Sequence, residues 1–378
     1  MTFSRLIPLV VCLAALGQAA WAQESRHEKS FHDLDKNKDA KLSKEELPNQ
    51  AKRKFERVDT DKSGFISLKE HVAYLTRDRG NRQQRRPSLK GYKVMRNISY
   101  AGTDNARQTL DLALPVKRTD DKPLPVIAFI HGGGWRGGSK DGGLNRIHGF
   151  LKSEKYAGVS IGYRLSNEAK WPAQIHDCKA AIRWLKANAK KHGLDGSKIA
   201  VHGTSAGGHL VAMLGTSSGV KAMDGSIGPH TDLSTKVTCV VDYFGPTNFL
   251  RMDDFESRIV HDAADSPEGL LIGGAIQENK KKTLTANPIS YVTKDDSPFL
   301  IIHGTKDMAV PYNQSVLLYS ALKTVDVPTA LLTVTDGGHG VGGGVLNEHL
   351  KNFFDHHLLK KKAAFRDETI PVGKTGRR

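Results

Sequence analysis

Cysteine is scarce in this chain, 3 among 378 residues, which excludes a small scaffold stapled by disulfides. Cys178 and Cys239 could pair in an oxidising compartment, but each sits in an apolar stretch, so two buried thiols are expected. Long apolar runs are missing too. None reaches the roughly 20 residues that cross a bilayer, so no stable membrane insertion is expected. Acidic residues are in deficit, 40 against 56 Lys and Arg, for a net charge of +16. The excess gathers in Arg77, Arg79, Arg82, Arg85, Arg86, Lys90 and Lys93, and again from Lys360 to Arg378. Neither stretch carries interleaved aromatics or a nucleic-acid motif. They read as a solvated linker and a frayed tail, with no nucleic-acid partner. Apolar content of 38% is too high for a wholly disordered chain. The length suits one large domain of about 250 residues plus a small one.

The first residues run from Arg5 through the apolar stretch Leu6 to Leu16 and on to Ala20-Trp21-Ala22. A positive charge, a short apolar core and an A-x-A site predict a signal peptide over 1–22. The mature chain is then expected to be secreted or periplasmic.

Two calcium-loop patterns follow, 24 positions apart. Calcium takes six to eight oxygens at about 2.3–2.6 Å, and a twelve-residue loop supplies them from positions 1, 3, 5, 7 and 12. In the first loop these are Asp35, Asn37, Asp39, the Lys41 carbonyl and Glu46. In the second they are Asp59, Asp61, Ser63, the Phe65 carbonyl and Glu70. Gly64 supplies the turn that needs positive φ, whereas the first loop has Ala40 there and is expected to bind more weakly. Leu42 and Ile66 are placed to pair the loops. Only residues 47–58 lie between them, so one shared helix, Glu46 to Arg57, is expected to serve both. The pair resembles the duplicated calcium segments of dockerin modules.

From Tyr92 onward short apolar runs alternate with amphipathic stretches. Strands are predicted at Lys93–Ala101, Thr109–Leu114, Val126–His131, Tyr156–Tyr163, Ile199–His202, Val237–Phe244, Phe299–His303 and Ala330–Thr335. Helices between them imply an α/β domain with a mostly parallel sheet covered on both faces. The predicted order is 1–22 signal peptide, 23–76 calcium-loop pair, 77–91 linker, 92–360 α/β domain and 361–378 tail.

Gly203-Thr204-Ser205-Ala206-Gly207 follows one of these strands and precedes a helical stretch. G-x-S-x-G in a strand–turn–helix is a nucleophile elbow, with Ser205 on a sharp turn. His131-Gly132-Gly133-Gly134-Trp135 ends another strand. Its glycines leave backbone N–H groups facing outward, as stabilising an oxyanion requires. Gly133, Gly134 and Ala206 are the expected donors. A phosphate loop is the rival, but G-K-[ST] is missing. The elbow's partners follow in the order acid, then His. Asp307 stands just past the strand Phe299–His303, with Asp242 as the rival acid. His339 lies in the Gly-rich turn after the last strand. Residues 248–290 are either a cap over the pocket or a surface excursion.

On these residues, 92–360 resemble the α/β-hydrolase fold, in the branch of esterases and lipases with an HGGGW loop. Hormone-sensitive-lipase-like carboxylesterases, bacterial acetyl xylan and feruloyl esterases and kynurenine formamidase share it. The stretches that carry the likeness are His131–Trp135, Tyr163-Arg164-Leu165, Trp171-Pro172-Ala173-Gln174, His202–Leu210, Phe244-Gly245-Pro246-Thr247, His303–Pro311 and Gly337-Gly338-His339. The resemblance implies acyl transfer by Ser205, His339 and Asp307 on short acyl or aryl esters, small or polysaccharide-linked, with no cofactor for the chemistry. Calcium then belongs to the N-terminal loops alone. Two other readings stay open: an amidase or formamidase on the same residues, and a calcium-dependent binding protein with a silent hydrolase domain and a protein partner not yet known.

Overall fold

A computed structural model describes residues 28–47, 49–52, 54–75, 89–118 and 121–375. The chain divides into two units, residues 1–88 and 89–378. The expected signal peptide lies outside the described residues, as does most of the expected linker. Leu89, assigned to that linker, is instead buried in the core of the second unit. Among the described residues no helix is long and apolar enough to cross a membrane.

The second unit is built on nine strands. They are β1 (Tyr92–Ser99), β2 (Thr109–Pro115), β3 (Leu124–Ile130), β4 (Ala157–Ile161), β5 (Leu194–Thr204), β6 (Cys239–Tyr243), β7 (Phe299–Gly304), β8 (Thr329–Thr335) and β9 (Glu368–Pro371). Their order in the sheet is β9-β8-β7-β6-β5-β3-β4-β2-β1. Only β2 runs against its neighbours, β1 and β4; every other pairing is parallel.

The central strands are apolar throughout because both faces are covered. Along β3, Val126, Ala128 and Ile130 enter one core and Ile127 and Phe129 the other. Helices α1 (Gly143–Leu151), α2 (Ala173–Ala187), α3 (Ala206–Thr216), α4 (Asn313–Thr324) and α5 (Gly344–Leu359) cover the sheet. α2, α3 and α4 pack in the first core; α1 and α5 pack in the second. Cys178 and Cys239 are free, buried thiols in these separate cores. This is the α/β-hydrolase fold.

The frayed tail is corrected. Residues 368–371 add β9 parallel to β8, and Ile370 is buried. Asp367 accepts the Leu331 N–H at 2.9 Å and the Tyr319 hydroxyl at 2.6 Å. Two carboxylate bonds and one apolar side chain anchor a segment whose lysines pointed to solvent. The stretch 248–290 resolves as well. Phe249, Met252, Leu271, Ile272 and Ile276 are buried in the first core, so the segment is part of the packed domain.

In the first unit, Lys41–Leu42 and Ile66–Ser67 pair antiparallel, with Leu42 opposite Ile66. Phe31, Leu42, Leu47, Phe55, Val58 and Ile66 form its core. The single shared helix is replaced by two short ones, Asn49–Lys52 and Phe55–Val58. Pro48 disfavours the helical conformation at Leu47 and so accounts for a start after Glu46.

Candidate active site

Strand β5 turns into α3 at Ser205, which takes φ +56° and ψ −124°. A side chain in that region carries strain, held here by the surrounding fold. The turn leaves no room beside the serine. A Cβ on Gly203 would lie 2.1 Å from the Gly207 carbonyl oxygen. The Ser205 N–H donates to the Tyr243 carbonyl at 2.9 Å, which ties the elbow to the end of β6.

The HGGGW loop lies directly on the elbow. A Cβ at Gly132 would sit 2.5 Å from the Thr204 carbonyl oxygen and 3.2 Å from Ser205 Cβ. Gly133 and Gly134 have φ of +114° and +57°. Among the described residues, no acceptor takes the N–H of either. Ala206 opens α3, so its N–H also has no partner within the helix. The HGGGW loop, through Gly132, and the start of α3 both adjoin Ser205.

The loop has its own supports. His131 stacks on Tyr163 at 4.3 Å, and the Tyr163 hydroxyl donates to the His131 carbonyl at 2.9 Å. Burial pushes the His131 imidazole down to about 4, so it stays neutral. Trp135 Nε1 donates to His209 Nδ1 at 3.2 Å, and His209 Nε2 donates to the Ala286 carbonyl at 2.6 Å. Burial likewise takes His209 down to about 4. A neutral imidazole under the elbow therefore joins the HGGGW loop to the segment after β6.

Asp307 and His339 leave the adjacent strands β7 and β8. The Lys306 N–H donates to the Gly337 carbonyl at 2.8 Å and brings their loops together. His339 Nδ1 stands 2.7 Å from Asp307 Oδ2. His303 Nε2 reaches the same oxygen at 3.1 Å and the Val310 carbonyl at 3.0 Å. Both are acceptors, so His303 carries its hydrogen on Nε2. Asp307 Oδ1 accepts the Ala309 and Val310 N–H groups at 2.8 and 3.0 Å. Burial pushes the Asp307 carboxyl up, but the hydrogen bonds from His303 and His339 prevail and hold it well below the ordinary carboxylate range.

The imidazole of His339 is about one-third exposed and packs on the Phe244 ring, 4.5 Å between centroids. Phe244 directly follows Tyr243, the residue that holds the Ser205 N–H. His339 and Ser205 are thus both in contact with the end of β6, through the neighbouring residues Phe244 and Tyr243. Asp242, the rival acid, is enclosed and points to the Gly245 N–H at 3.0 Å. Burial raises its carboxyl to about 7. His209 and His303 went unassigned in the sequence. Their signal was present, as each falls inside a matched stretch, but a buried donor or acceptor is visible only once its partner is known.

The calcium-loop residues fold as two wrapped turns. Asp35 accepts the Asp39 and Ala40 N–H groups, and Glu46 accepts those of Lys36 and Asn37. Asn37 Nδ2 donates to Asp39, and Lys41 pairs in the short strand. Ala40 sits at φ +61° and Gly64 at φ +83°. In the second loop, ligand oxygens of Asp59, Asp61 and Glu70 lie within 4.8 Å of one another. Ser63 Oγ donates to the Phe65 carbonyl at 3.0 Å. Three convergent carboxylates fit a hard divalent cation.

The chain is similar to several esterases. It is 32% identical over 255 residues to Esterase LipC of Mycobacterium tuberculosis, covering 66% of this chain and 60% of that protein. It is 30% identical over 192 residues to the probable carboxylic ester hydrolase LipM of the same organism, covering 50% and 43%. The chain thus spans less than two thirds of the length of these curated relatives. Among solved structures, a truncated carbohydrate esterase from gut microbiota superposes with a TM-score of 0.68 at 33% identity. That likeness covers 72% of this chain and 99% of that one. An EF-hand family model matches residues 53–70. The BD-FAE family model matches residues 110–322, more than half of the chain, and this chain belongs to the BD-FAE family.

Proposed function

We propose that this chain is a secreted serine carboxylic ester hydrolase working through Ser205, His339 and Asp307 on short acyl or aryl esters. The observation that carries this reading is the pairing of His339 with Asp307, in a domain whose HGGGW loop is seated on the strained turn at Ser205. Ser205 Oγ attacks the ester carbonyl while His339 Nε2 takes its proton. The Gly133, Gly134 and Ala206 N–H groups receive the developing oxyanion. His339 then protonates the departing alcohol, leaving an acyl group on Ser205. Water, deprotonated by His339, attacks that acyl group; His339 returns the proton to the departing Ser205 Oγ, and the acid is released. Asp307 holds the imidazole by Nδ1 and stabilises its charged form. Acetyl or feruloyl groups on polysaccharide are the favoured substrates, supported by the carbohydrate esterase among the structural relatives. The apolar run and A-x-A site of residues 1–22 support export.

Calcium is proposed at the N-terminal loops. Asp59, Asp61, Ser63, the Phe65 carbonyl and Glu70 would hold one ion. Asp35, Asn37, Asp39, the Lys41 carbonyl and Glu46 would hold a second, more weakly. The ion supplies a structural cross-link there.

The test is p-nitrophenyl acetate hydrolysis by the purified chain beside its Ser205→Ala variant, then acid release from acetylated and feruloylated xylan. Turnover by the wild type alone supports the reading. Equal, background rates in both proteins would sink it. Faster cleavage of a matched amide than of its ester moves the assignment to an amidase.

A further inference from the structure

The proposed hydrolysis leaves unused a polar chain inside residues 257–268. His261 is fully buried and Glu268 nearly so. His261 Nδ1 lies 2.9 Å from Glu268 Oε2, and Nε2 lies 3.1 Å from Ser257 Oγ. Ser257 Oγ in turn lies 3.2 Å from the Met308 carbonyl oxygen. The Arg258 N–H donates to that same carbonyl at 2.8 Å. Met308 directly follows Asp307. This end of the chain therefore grips the loop that carries the acid.

The other end reaches the HGGGW loop. Glu268 belongs to the short helix Pro267–Ile272, whose cap is Ser266. The Ser266 hydroxyl donates to the His261 carbonyl at 2.7 Å and accepts the Gly269 N–H at 2.8 Å. Pro267 seats on Gly134: a Cβ there would lie 3.2 Å from Pro267 Cβ. Asp253 completes the surroundings, accepting the His261 N–H at 2.9 Å and the Asp262 N–H at 2.8 Å.

We propose that Glu268, His261 and Ser257 form a strap that fixes the acid loop relative to the oxyanion loop, with His261 as a positioning residue. This rests on the reading of Asp307 as the acid of the triad. Hydrogen counting supports a strap. Glu268 accepts, so His261 carries a hydrogen on Nδ1, and the Ser257 hydroxyl lies between Nε2 and the Met308 carbonyl, which the Arg258 N–H also serves. A buried chain with all members satisfied holds one geometry, whereas a half-satisfied one would be a liability. A Ser–His–carboxylate set is also the arrangement of an activated nucleophile. Here the imidazole is sealed from solvent, and the Ile259 N–H donates to Ser257 Oγ at 3.1 Å. Ser257 is a link in the chain, and Ser205 remains the nucleophile.

Ser257→Ala removes the side-chain link between His261 and Met308, and leaves the Arg258 N–H bond and the buried His261–Glu268 pair in place. Ser257→Thr keeps the hydroxyl. Steady-state kinetics on p-nitrophenyl acetate and amide hydrogen exchange would be measured on the full chain. Ser257→Ala is expected to lower kcat by about 10- to 100-fold, as loss of an orienting partner does elsewhere, with KM within about two-fold. The amides of Ala309 and Val310, which bond Asp307 Oδ1, are expected to exchange faster. Ser257→Thr restores both. His261→Ala extends the faster exchange to residues 133–137. Unchanged exchange at 309–310 with unchanged kcat overturns the strap. If the wild type hydrolyses no ester yet the exchange effect appears, the strap stands and the hydrolase reading fails. If residual turnover in Ser205→Ala disappears on adding Ser257→Ala, Ser257 is a nucleophile and the strap is overturned. The two Ser257 variants carry the test should His261→Ala fail to fold.

Discussion

One carboxylate oxygen, Asp307 Oδ2, serves two imidazoles: His339 at 2.7 Å and His303 at 3.1 Å. The other oxygen takes two backbone N–H groups. Four donors surround an acceptor-only group, so an amide cannot replace it. In Asp307→Asn the NH₂ faces donors whichever way it turns. The expected loss in kcat on p-nitrophenyl acetate is on the order of 10⁴. The sign of the pH effect follows from the depressed carboxyl. Asp307 contributes stability at any pH above the ordinary carboxylate range, and that contribution disappears only as pH falls through its own lower value. Acid unfolding followed by circular dichroism should therefore show Asp307→Asn losing stability relative to wild type at pH 5 to 8. The difference should shrink in strong acid.

Asp242 predicts the opposite slope. Its carboxyl is raised to about 7 by burial, against the Gly245 N–H that lowers it. The native state then holds a proton that the unfolded chain gives up near pH 4. Stability falls as pH rises from about 4 to about 7, and the loss is complete above that. Asp242→Asn keeps an oxygen for the Gly245 N–H and removes the titration. Its Tm should match the wild type near pH 4 and exceed it at pH 8. A Tm difference independent of pH would show that Asp242 is not protonated in the fold.

These two aspartates also show how far the sequence could be read. Both stand near strand ends and both were candidates for the acid. Position past the strand end separated them: Asp307 lies beyond β7, in a loop that approaches the loop after β8, whereas Asp242 is still inside β6. Strand positions, the elbow and the HGGGW loop were legible because each depends on local pattern: alternation, apolar runs and glycine where the backbone needs it. His209, His303 and His261 were not legible, since their roles are set by partners far away in sequence. The tail misled for the same reason. Its lysines suggested solvent, while Ile370 and Asp367 found partners on β8 and α4 that no local pattern announces.

The tail gives a direct test. A chain ending at Arg366 loses the burial of Ile370, worth about 1.5–3 kcal/mol, along with the Asp367 bonds and the β9 pairing. For a domain of this size the expected drop in Tm is roughly 3–10 °C. Scanning calorimetry beside the full chain measures it, and a drop below one degree would mean that β9 adds nothing to the fold.

The oxyanion loop should be sensitive in proportion to backbone crowding. At Gly133 an added Cβ would lie 2.5 Å from the Gly137 carbonyl oxygen, with φ at +114°. At Gly134 the neighbour is the Pro267 side chain at 3.2 Å, and φ is +57°, a region that other residues enter at modest cost. Gly133→Ala must shift backbone and misplace its N–H, so kcat should fall by about 10²–10³. Gly134→Ala should keep more of the rate. The order of the two kcat values, with KM compared alongside, checks this. The reverse order would place the oxyanion away from the Gly133 N–H.

The calcium loops differ in one backbone position, and that difference sets a rank of affinity. Ala40 occupies the left-handed region at φ +61°, where Gly64 in the second loop sits freely. Left-handed backbone is about 1–2 kcal/mol unfavourable for a side-chain-bearing residue, so Ala40→Gly should tighten the first site by roughly five- to thirty-fold. In the second loop, burial raises the Glu70 carboxyl, but the Ser67 N–H and the Thr60 hydroxyl donate to it and bring it down to about 2. The ligand is therefore ionised across the neutral and mildly acidic range. Glu70→Gln keeps the shape and removes the charge, and should abolish the stronger step in a calcium titration followed by calorimetry. Two independent steps in the wild type, one lost in Glu70→Gln and the other strengthened in Ala40→Gly, is the expected pattern. A single step that both variants alter equally would mean that the loops share one ion, and the assignment of separate ligand sets would fall.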